Sequence, residues 1–304
     1  MTEDHALIQA AFNRLKELEL MYDDAIPNAA IRAGFEFGNE KTLFENQAKG
    51  IFKPRQMKAG ALSIKTTMAR DGGVNIYNDQ IADDGFYQYS LQSGDPHGGA
   101  NKQLWQSYEL KQPLIYFHAV APAVYTALWP CFIDSIITDV DEPFLKLLVG
   151  QRPASGVEYA PIDSQSIQSR YRVSESKVRL HQASFREAVL GAYNRRCAVT
   201  GLQEERLIEA AHIIPDGEIG AKQFVNNGIA LSKIHHKAYD SKLMGIDPDF
   251  TIHISDQLLS AAKNEFMEQS FIRFNGEKLL LPHRKEMAPN RDYLARNFEL
   301  FEGR

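Results

Sequence analysis

The chain has 304 residues, long enough for two domains of ordinary size. Hydrophobic residues make up 44% and charged residues 24% of it, an ordinary globular composition with a net charge of −5. It has no run of about 18 apolar residues and no segment like a signal peptide, so we expect neither a membrane span nor secretion. Cys131 and Cys197 are the only cysteines. No disulfide framework is therefore expected, and a reducing cytoplasm is the predicted location.

The first part of the chain predicts one helix followed by strands. Residues 5–22 repeat apolar side chains at helical spacing, which predicts an amphipathic helix. Short β-rich runs then alternate with glycine, proline, asparagine and aspartate. These runs are residues 61–66, 86–91, 114–118 and 125–129. Strands at this spacing predict a mostly-β first domain, a compact barrel or a curled sheet, over residues 1–150.

The composition changes after residue 150. Residues 151–168 are rich in glycine, proline and serine and predict a linker. The second domain is predicted over residues 169–304, with a helix over residues 176–193. Residues 169–196 are mostly basic among their charged residues, a stripe that can contact phosphates or can simply be a solvated helix face. The predicted DNA-binding residues are Arg170, Arg172, Lys177, Arg179, Arg195 and Arg196.

The chemistry of the chain is concentrated in residues 197–240. His212 directly follows an apolar run with little helical pattern, and Asn227 and His236 come later in order. We predict a strand ending near His212, a loop, a second strand, and a helix starting near Asn227. Asp240 follows His236 by four residues, so both side chains lie on one face of that helix.

This arrangement predicts hydrolysis of a phosphodiester. An imidazole and a carboxylate on one helical face, here His236 and Asp240, can hold a divalent cation that stabilises charge on phosphate oxygens. His212 can take a proton from water, because imidazole titrates near neutral pH. The side-chain amide of Asn227 can hold the histidine-bearing loop by hydrogen bonds. A lone histidine is more often structural, but the ordered set is far more specific.

The segment resembles the HNH, or ββα-metal, endonucleases. Its motif blocks match at residues 210–213, 227–231 and 235–240. The resemblance implies that His212 is the general base and that Asn227 is the structural asparagine. It also implies that His236 is a metal ligand and that Asp240 takes the place of the second helical ligand. One divalent ion, Mg²⁺ or Mn²⁺, is the cofactor that follows.

Two departures from that family affect the metal sites. Ala211 stands where many members carry a further metal ligand, so water and phosphate oxygens must complete the site unless His235 or Glu209 contributes. Many members also have a structural zinc held by four cysteines. Here Cys197 is kept, and the other three positions hold Thr200, Ser232 and His235. We therefore predict no structural zinc.

The chain as a whole is similar to bacterial proteins described as restriction endonucleases, in which an amino-terminal region precedes an HNH domain. The matching features are residues 50–54, 62–64, 84–87, 113–117 and 129–130. The β-rich region is also weakly similar to PUA-like modules that bind modified bases. Such a reader needs aromatic stacking and polar edges around a flipped base. The candidates are Tyr77, Phe86, Tyr87, Tyr89, Trp105, Tyr116 and Trp129, with Asp79, Asp83, Asp84 and Asn101; the alternative is that most of these aromatics are core.

The sequence thus predicts an α+β chain with a mostly-β, PUA-like first domain and a ββα-metal nuclease domain. The expected function is a divalent-metal-dependent DNA endonuclease of the restriction type. Modified bases, such as a modified cytosine, are the preferred recognition signal, and a plain short sequence is the next choice. A non-catalytic DNA-binding protein with a decayed nuclease domain is the alternative, for which Ala211 is the hint. A secreted toxin nuclease is disfavoured. DNA is the expected partner, and a homodimer would bring two active sites to two strands.

Overall fold

The computed structural model describes residues 2–46, 50–66, 86–150, 167–215, 225–260 and 264–303, without the side chains of 167–174. The chain forms two compact units, Met1–Ser184 and Phe185–Arg304. The predicted linker, 151–168, lies outside the described residues except for its last two, which begin a helix. Among the described residues, no helix has the length and apolar character needed to cross a bilayer.

The first unit combines helices with short and long strands. The helices are α1 (Glu3–Tyr22), α2 (Asn28–Ala33), α3 (Asn101–Glu109) and the first part of α4 (Ile167–Ala192). The strands are β1 (Ile26–Pro27), β2 (Phe35–Phe37), β3 (Glu40–Thr42), β4 (Ile51–Phe52), β5 (Ser63–Lys65), β6 (Tyr87–Ser90), β7 (Leu114–Ala121), β8 (Val124–Ile137) and β9 (Phe144–Val149). The predicted first helix and all four predicted β-rich runs are confirmed as elements of this unit.

A seven-stranded sheet is the centre of the first unit. Its path is β4-β5-β7-β8-β9-β6, and β1 pairs with β8 away from that path. Among the described strands of this sheet, the β5–β7 pair is parallel and the other pairs are antiparallel. The β7–β8 and β8–β9 pairs contain register shifts, and such irregularities bend a strand and increase its twist. A curled sheet results, with helices added to it, so the unit is mixed in α and β content.

The sheet buries a different set of side chains on each face. On β7, Ile115 and Phe117 pack in the same cluster as Leu7, Phe12 and other α1 residues. Tyr116 belongs to the cluster on the opposite face. This alternation follows from the two-residue period of a strand. Thr2 caps α1 by accepting a hydrogen bond from the His5 backbone nitrogen at 3.3 Å, which favours helix initiation there.

Most of the aromatic side chains considered for base recognition are core residues where the structure describes them. Tyr87, Tyr116 and Trp129 are at most 1% exposed, and Tyr89 is also buried. The Asn101 amide donates to the backbone oxygens of residues 92 and 95, so this side chain stabilises the loop before α3. Other candidates, Tyr77, Asp79, Asp83 and Asp84, lie outside the described residues.

Helix α4 contributes to the first unit over its earlier turns. The Ser176 hydroxyl lies 2.7 Å from the Tyr87 hydroxyl, and Leu180 is buried in a cluster of first-unit residues. The Arg179 guanidinium donates to Asp24 and to Glu19 of α1. These contacts place the residues around Ser176–Leu180 in the first unit, although the predicted nuclease domain begins at residue 169. The compact units instead divide after Ser184.

The second unit is built around a two-stranded hairpin and the helices that pack on it. It contains the end of α4, then β10 (Ile208–His212), β11 (Gly228–Ser232), α5 (Lys233–Asp240), β12 (Met244–Ile246), β13 (Ile252–Ile254), α6 (Asp256–Ser260), α7 (Glu265–Ser270) and α8 (Arg291–Glu302). Short 3₁₀ turns at Glu205–Leu207 and Val225–Asn227 precede β10 and β11. One apolar core joins these elements, with the side chains of Val189, Ile229 and Leu294 among those fully buried in it.

Candidate active site

His212 ends the first strand of the hairpin. Strands β10 and β11 pair antiparallel, and His212 stands opposite Gly228. The imidazole stacks on the ring of Phe185 from α4, with ring centroids 3.9 Å apart and planes 8° apart. Gly228 makes this approach possible, because a Cβ there would lie 2.3 Å from Val189 Cγ2 and 2.8 Å from Phe185 Cζ. The strand and α4 therefore fix both the position and the ring plane of His212.

Asn227 holds the backbone that follows His212. Its Oδ1 accepts from the Ile214 nitrogen and its Nδ2 donates to the Ile214 oxygen, both at 3.0 Å. Its own carbonyl accepts from the Ile213 nitrogen at 2.9 Å. These are the amide hydrogen bonds to the histidine-bearing loop that the sequence predicted. The side chain is 5% exposed, so solvent competes little for the bonds.

The predicted start of the helix was wrong. Asn227 belongs to a 3₁₀ turn before β11, and α5 begins only at Lys233. The reason is that Gly228–Ser232 pairs along its whole length with β10, which removes those residues from any helix. The order strand, strand, helix is nevertheless the one predicted, and α5 does carry His236 and Asp240.

His236 is flanked by two carboxylates. Its Nδ1 lies 2.7 Å from Glu209 Oε2, on β10, and its Nε2 lies 3.4 Å from Asp240 Oδ2, one turn along α5. The imidazole and Glu209 are partly buried, whereas Asp240 is more exposed, with 56% of its side chain accessible. The sequence indicates Glu209 as an alternative metal ligand, and its contact with His236 is visible only in the structure.

The two carboxylates change the acid–base behaviour of this cluster. Burial by itself lowers the pKa of His236, but the hydrogen bond to Glu209 and the charges of Asp240 and Glu209 outweigh burial, so the net shift is upward. In return, the hydrogen bond with His236 holds the pKa of Glu209 below its usual value against the effect of burial. The site thus attracts positive charge, either a proton on His236 or a cation.

This donor set fits one divalent cation with few protein ligands. The His236 Nε2 and Asp240 Oδ2 atoms are 3.4 Å apart. An imidazole nitrogen and a carboxylate oxygen are both atoms that can serve as ligands to a divalent metal ion. Within the ranges that the structure describes, no group of three or more histidine, cysteine, aspartate or glutamate side chains is arranged to hold a metal. His236 and Asp240 would therefore need water or phosphate oxygens to complete the coordination.

His235 is not available as a third metal ligand. Its Nδ1 lies 2.6 Å from the Ser232 hydroxyl and its Nε2 lies 2.7 Å from the Ser270 carbonyl oxygen. It is 1% exposed and belongs to a second cluster around Cys197, whose sulfur accepts from the Ser232 nitrogen at 3.2 Å. Burial raises the pKa of Cys197, but hydrogen bonds from His235 and Thr200 outweigh burial and lower it to about 6. Hydrogen bonds thus connect the four positions that hold zinc in many HNH proteins.

The basic stripe is partly neutralised. Arg179 pairs with Asp24 at 2.5 Å, and Arg195 pairs with Glu187 at 2.6 Å and also with Glu205. Arg196 lies 2.7 Å from the Gln203 amide oxygen once that amide is oriented to accept. Lys177 is partly exposed, and the side chains of Arg170 and Arg172 lie outside the described ones. Arg179 and Arg195 therefore have far less charge to offer a phosphate than the sequence suggested.

The segment that contains the candidate active site matches a known protein family. Residues 197–247 match the HNH endonuclease family. No curated protein matches the chain. Among solved structures, the chain is similar to the modification dependent TagI restriction endonuclease, with 15% identity, a TM-score of 0.30, and 80% of this chain and 82% of that chain covered. For the Type IV phosphorothioation-dependent restriction endonuclease ScoMcrA the identity is 16%, the TM-score 0.21, and the coverage 58% and 52%.

At these TM-scores the two structural similarities establish neither a shared fold nor a shared function. The family match covers the hairpin, α5, and the His212, Asn227, His236 and Asp240 side chains. It confirms the family that the motif blocks predicted, and with it the prediction of an endonuclease. The chain carries an HNH endonuclease domain at residues 197–247.

Proposed function

We propose that this protein is a divalent-metal-dependent DNA endonuclease in which His212 is the general base. The observation that carries the proposal is the placement of His212, Asn227 and the His236–Asp240 pair on one β-hairpin and helix within the segment that matches the HNH family. Metal dependence and the role of each residue are parts of the proposal.

In the proposed mechanism His212 removes a proton from the attacking water. Its ring plane is set by the stack on Phe185, and its backbone is set by Asn227 through Ile214. A base held in one orientation needs little reorganisation to reach the reacting water, which favours the reaction. The water oxygen would form a bond to phosphorus as the bond from phosphorus to the leaving oxygen breaks, the imidazole would keep the proton taken from the water, and solvent would protonate the leaving oxygen.

His236 and Asp240 would hold the cation, and Glu209 would orient His236. A histidine ligand commonly donates its second ring N–H to a carboxylate, which fixes its tautomer. The 2.7 Å contact between His236 Nδ1 and Glu209 leaves Nε2 directed toward Asp240. When bound, a divalent cation neutralises charge that develops on the phosphate oxygens.

The restriction role rests on the organisation of the chain in two units. The first unit has cores of its own and lies outside the matched segment, so it is the part available for selecting DNA. We propose that its cue is a modified cytosine, read in a PUA-like manner, with a plain short sequence as the next choice. A cytoplasmic location and a homodimer remain expectations of the same proposal.

A cleavage experiment tests the mechanism. Full-length protein is incubated with unmodified, cytosine-methylated and hydroxymethylated DNA, with Mg²⁺ or Mn²⁺ and with chelator. His212→Ala should lower the cleavage rate by roughly 10²–10⁴-fold at every metal concentration, because it removes the proton acceptor. His236→Ala should instead raise the metal concentration needed for half-maximal rate. Replacement of His283, an exposed histidine of the same unit, is the matched control.

The outcomes separate the roles. If high metal restores His212→Ala and not His236→Ala, the assigned roles are reversed. If the wild-type protein binds DNA but cuts none of the substrates with either metal, the nuclease domain is decayed. That alternative is favoured by Ala211 and by the lack of a three-ligand cluster among the described residues.

A further inference from the structure

A buried asparagine outside the matched segment contacts the backbone next to His212. Asn297 lies on α8 and is 6% exposed. Its Nδ2 donates to the Ile213 carbonyl at 2.6 Å, and its Oδ1 accepts from Lys242 Nζ at 2.8 Å. A buried amide is costly unless both its ends are bonded, so this side chain is fixed in one orientation.

All four polar backbone groups of Ile213 and Ile214, the two residues after His212, are hydrogen-bonded. The Ile213 nitrogen donates to the Asn227 carbonyl, and the Ile213 carbonyl accepts from Asn297. Both backbone groups of Ile214 bond the Asn227 side chain. The side-chain amides of Asn227 and Asn297, which lie far apart in the chain, therefore restrain the segment that positions His212. Asn297 restrains Ile213, the residue covalently bonded to His212.

The same amide also connects the base to the metal-ligand helix. Lys242 follows the end of α5, the helix that carries His236 and Asp240, and its ammonium lies 5.3 Å from the centre of the Tyr239 ring on that helix. Lys242 donates a hydrogen bond to Asn297, and Asn297 donates one to the carbonyl of Ile213, the residue after His212. The positive charge of Lys242, which donates to the Asn297 amide oxygen, also polarises the amide and strengthens its N–H groups as donors.

We propose that Asn297 is a positioning residue for His212 and that Lys242 orients the Asn297 side chain, so that α8 supports the base through this one amide. The proposal rests on the proposed function, because it takes His212 as the base. Without the Asn297 contact, the loop keeps Asn227 but gains freedom at Ile213. The base then spends less time in the productive geometry, while the cation ligands and the DNA contacts are unchanged.

The test compares kinetics of full-length variants. Asn297→Asp keeps the size of the side chain and the acceptor for Lys242 but loses the N–H donor. It should lower kcat roughly tenfold to a hundredfold, because small misplacements of a catalytic group are costly. KM and the metal concentration for half-maximal rate should stay within about twofold of wild type, as for any change that acts only after substrate and metal are bound. Lys242→Met should lower kcat by a smaller factor than Asn297→Asp does. Lys242→Arg keeps the charge and the donor, so its kcat should stay near the wild-type value.

A stability-matched control separates positioning from folding. Asn290 caps α8 by accepting from the Asp292 and Tyr293 nitrogens, so Asn290→Ala weakens the helix without removing the Asn297 contact. It should lower Tm but leave kcat near wild type. In a His212→Ala background, Asn297→Asp should cost nothing further in kcat, since residues that act through one another are not additive.

The outcomes distinguish this proposal from the general-base assignment. If His212→Ala is inactive but Asn297→Asp keeps the wild-type kcat, Asn297 is not a positioning residue and His212 remains the base. An equal loss of kcat in Asn290→Ala at equal Tm, or a further loss in the His212→Ala background, also overturns the proposal. If His212→Ala itself cuts normally, the general-base assignment fails first. Should Asn297→Asp not fold, Lys242→Met carries the same test with Asn297 intact.

Discussion

Replacing Asn227 by alanine should release the loop that follows His212. The substitution removes two hydrogen bonds of 3.0 Å, one to each backbone group of Ile214, in a place where the side chain is 5% exposed. A buried backbone group left without a partner costs roughly 1–3 kcal/mol, so the pair should cost about 2–6 kcal/mol locally. Even 2 kcal/mol corresponds to about a thirtyfold change in an opening equilibrium. Hydrogen exchange of the Ile214 amide in the full-length protein measures that change directly.

Two variants make the Asn227 measurement decisive. Asn227→Asp keeps an acceptor for the Ile214 nitrogen but loses the donor to the Ile214 oxygen, so its effect should lie between alanine and wild type. Asn226→Ala is the neighbouring control, since Asn226 bonds Asn290 through its backbone oxygen, which alanine retains. A change in Ile214 protection below about threefold in Asn227→Ala, equivalent to less than 1 kcal/mol, would refute the reasoning. So would an equal effect in Asn226→Ala.

Three further expectations follow from the packing and charge of the second unit. Gly228→Ala should cost about 1–3 kcal/mol by thermal unfolding and also slow cleavage, because Val189 and Phe185 must move away from the new methyl group; an unchanged Tm contradicts this. The pKa of Cys197 is lowered from 9.0 to about 6, so the thiolate's stabilising effect is fully present above pH 9 and is lost as pH falls through 6. Unfolding of wild type should therefore depend more steeply on pH over that window than unfolding of Cys197→Ser; equal slopes argue against a thiolate. Metal analysis after dialysis against chelator should find no stoichiometric zinc, and about one zinc per chain bound by Cys197 and His235 would overturn that prediction.

Local patterns were sufficient for several elements. The helical spacing in residues 5–22 corresponds to α1, and the alternating run at 114–118 lies within β7, whose two faces enter different clusters. Both signals come from the periodicity of neighbouring residues, which a sequence displays directly. The order of the hairpin and α5 was predictable from the spacing of His212, Asn227 and His236. The start of α5 was not, because the strand at Gly228–Ser232 exists only through its pairing with β10.

The polar contacts of the site depend on residues far apart in the chain. Glu209 meets His236 across 27 positions, and Asn297 meets Ile213 across 84. Neither spacing follows a helical or strand period, so no local pattern indicates which buried polar side chain bonds which backbone group. An asparagine among apolar positions of the last helix was the one available signal. Its side chain had to find partners if that face was buried.

The basic residues of α4 show how a charge pattern can have a structural role instead of a binding role. Arg186 is 7% exposed and donates to the carbonyl oxygens of Ile208 and Glu205, at the start of β10. Glu187 joins Arg186 to Arg195, so these charges form a network at that end of the strand. Breaking such a buried pair leaves an uncompensated charge, which is strongly destabilising. The strand that ends in His212 is therefore anchored at its beginning by arginine and just beyond its end by asparagine. The density of positive charge in the sequence predicts that Arg195 contacts DNA, but the pairing of Arg195 with Glu187 and Glu205 depends on the fold and is not visible in that local pattern.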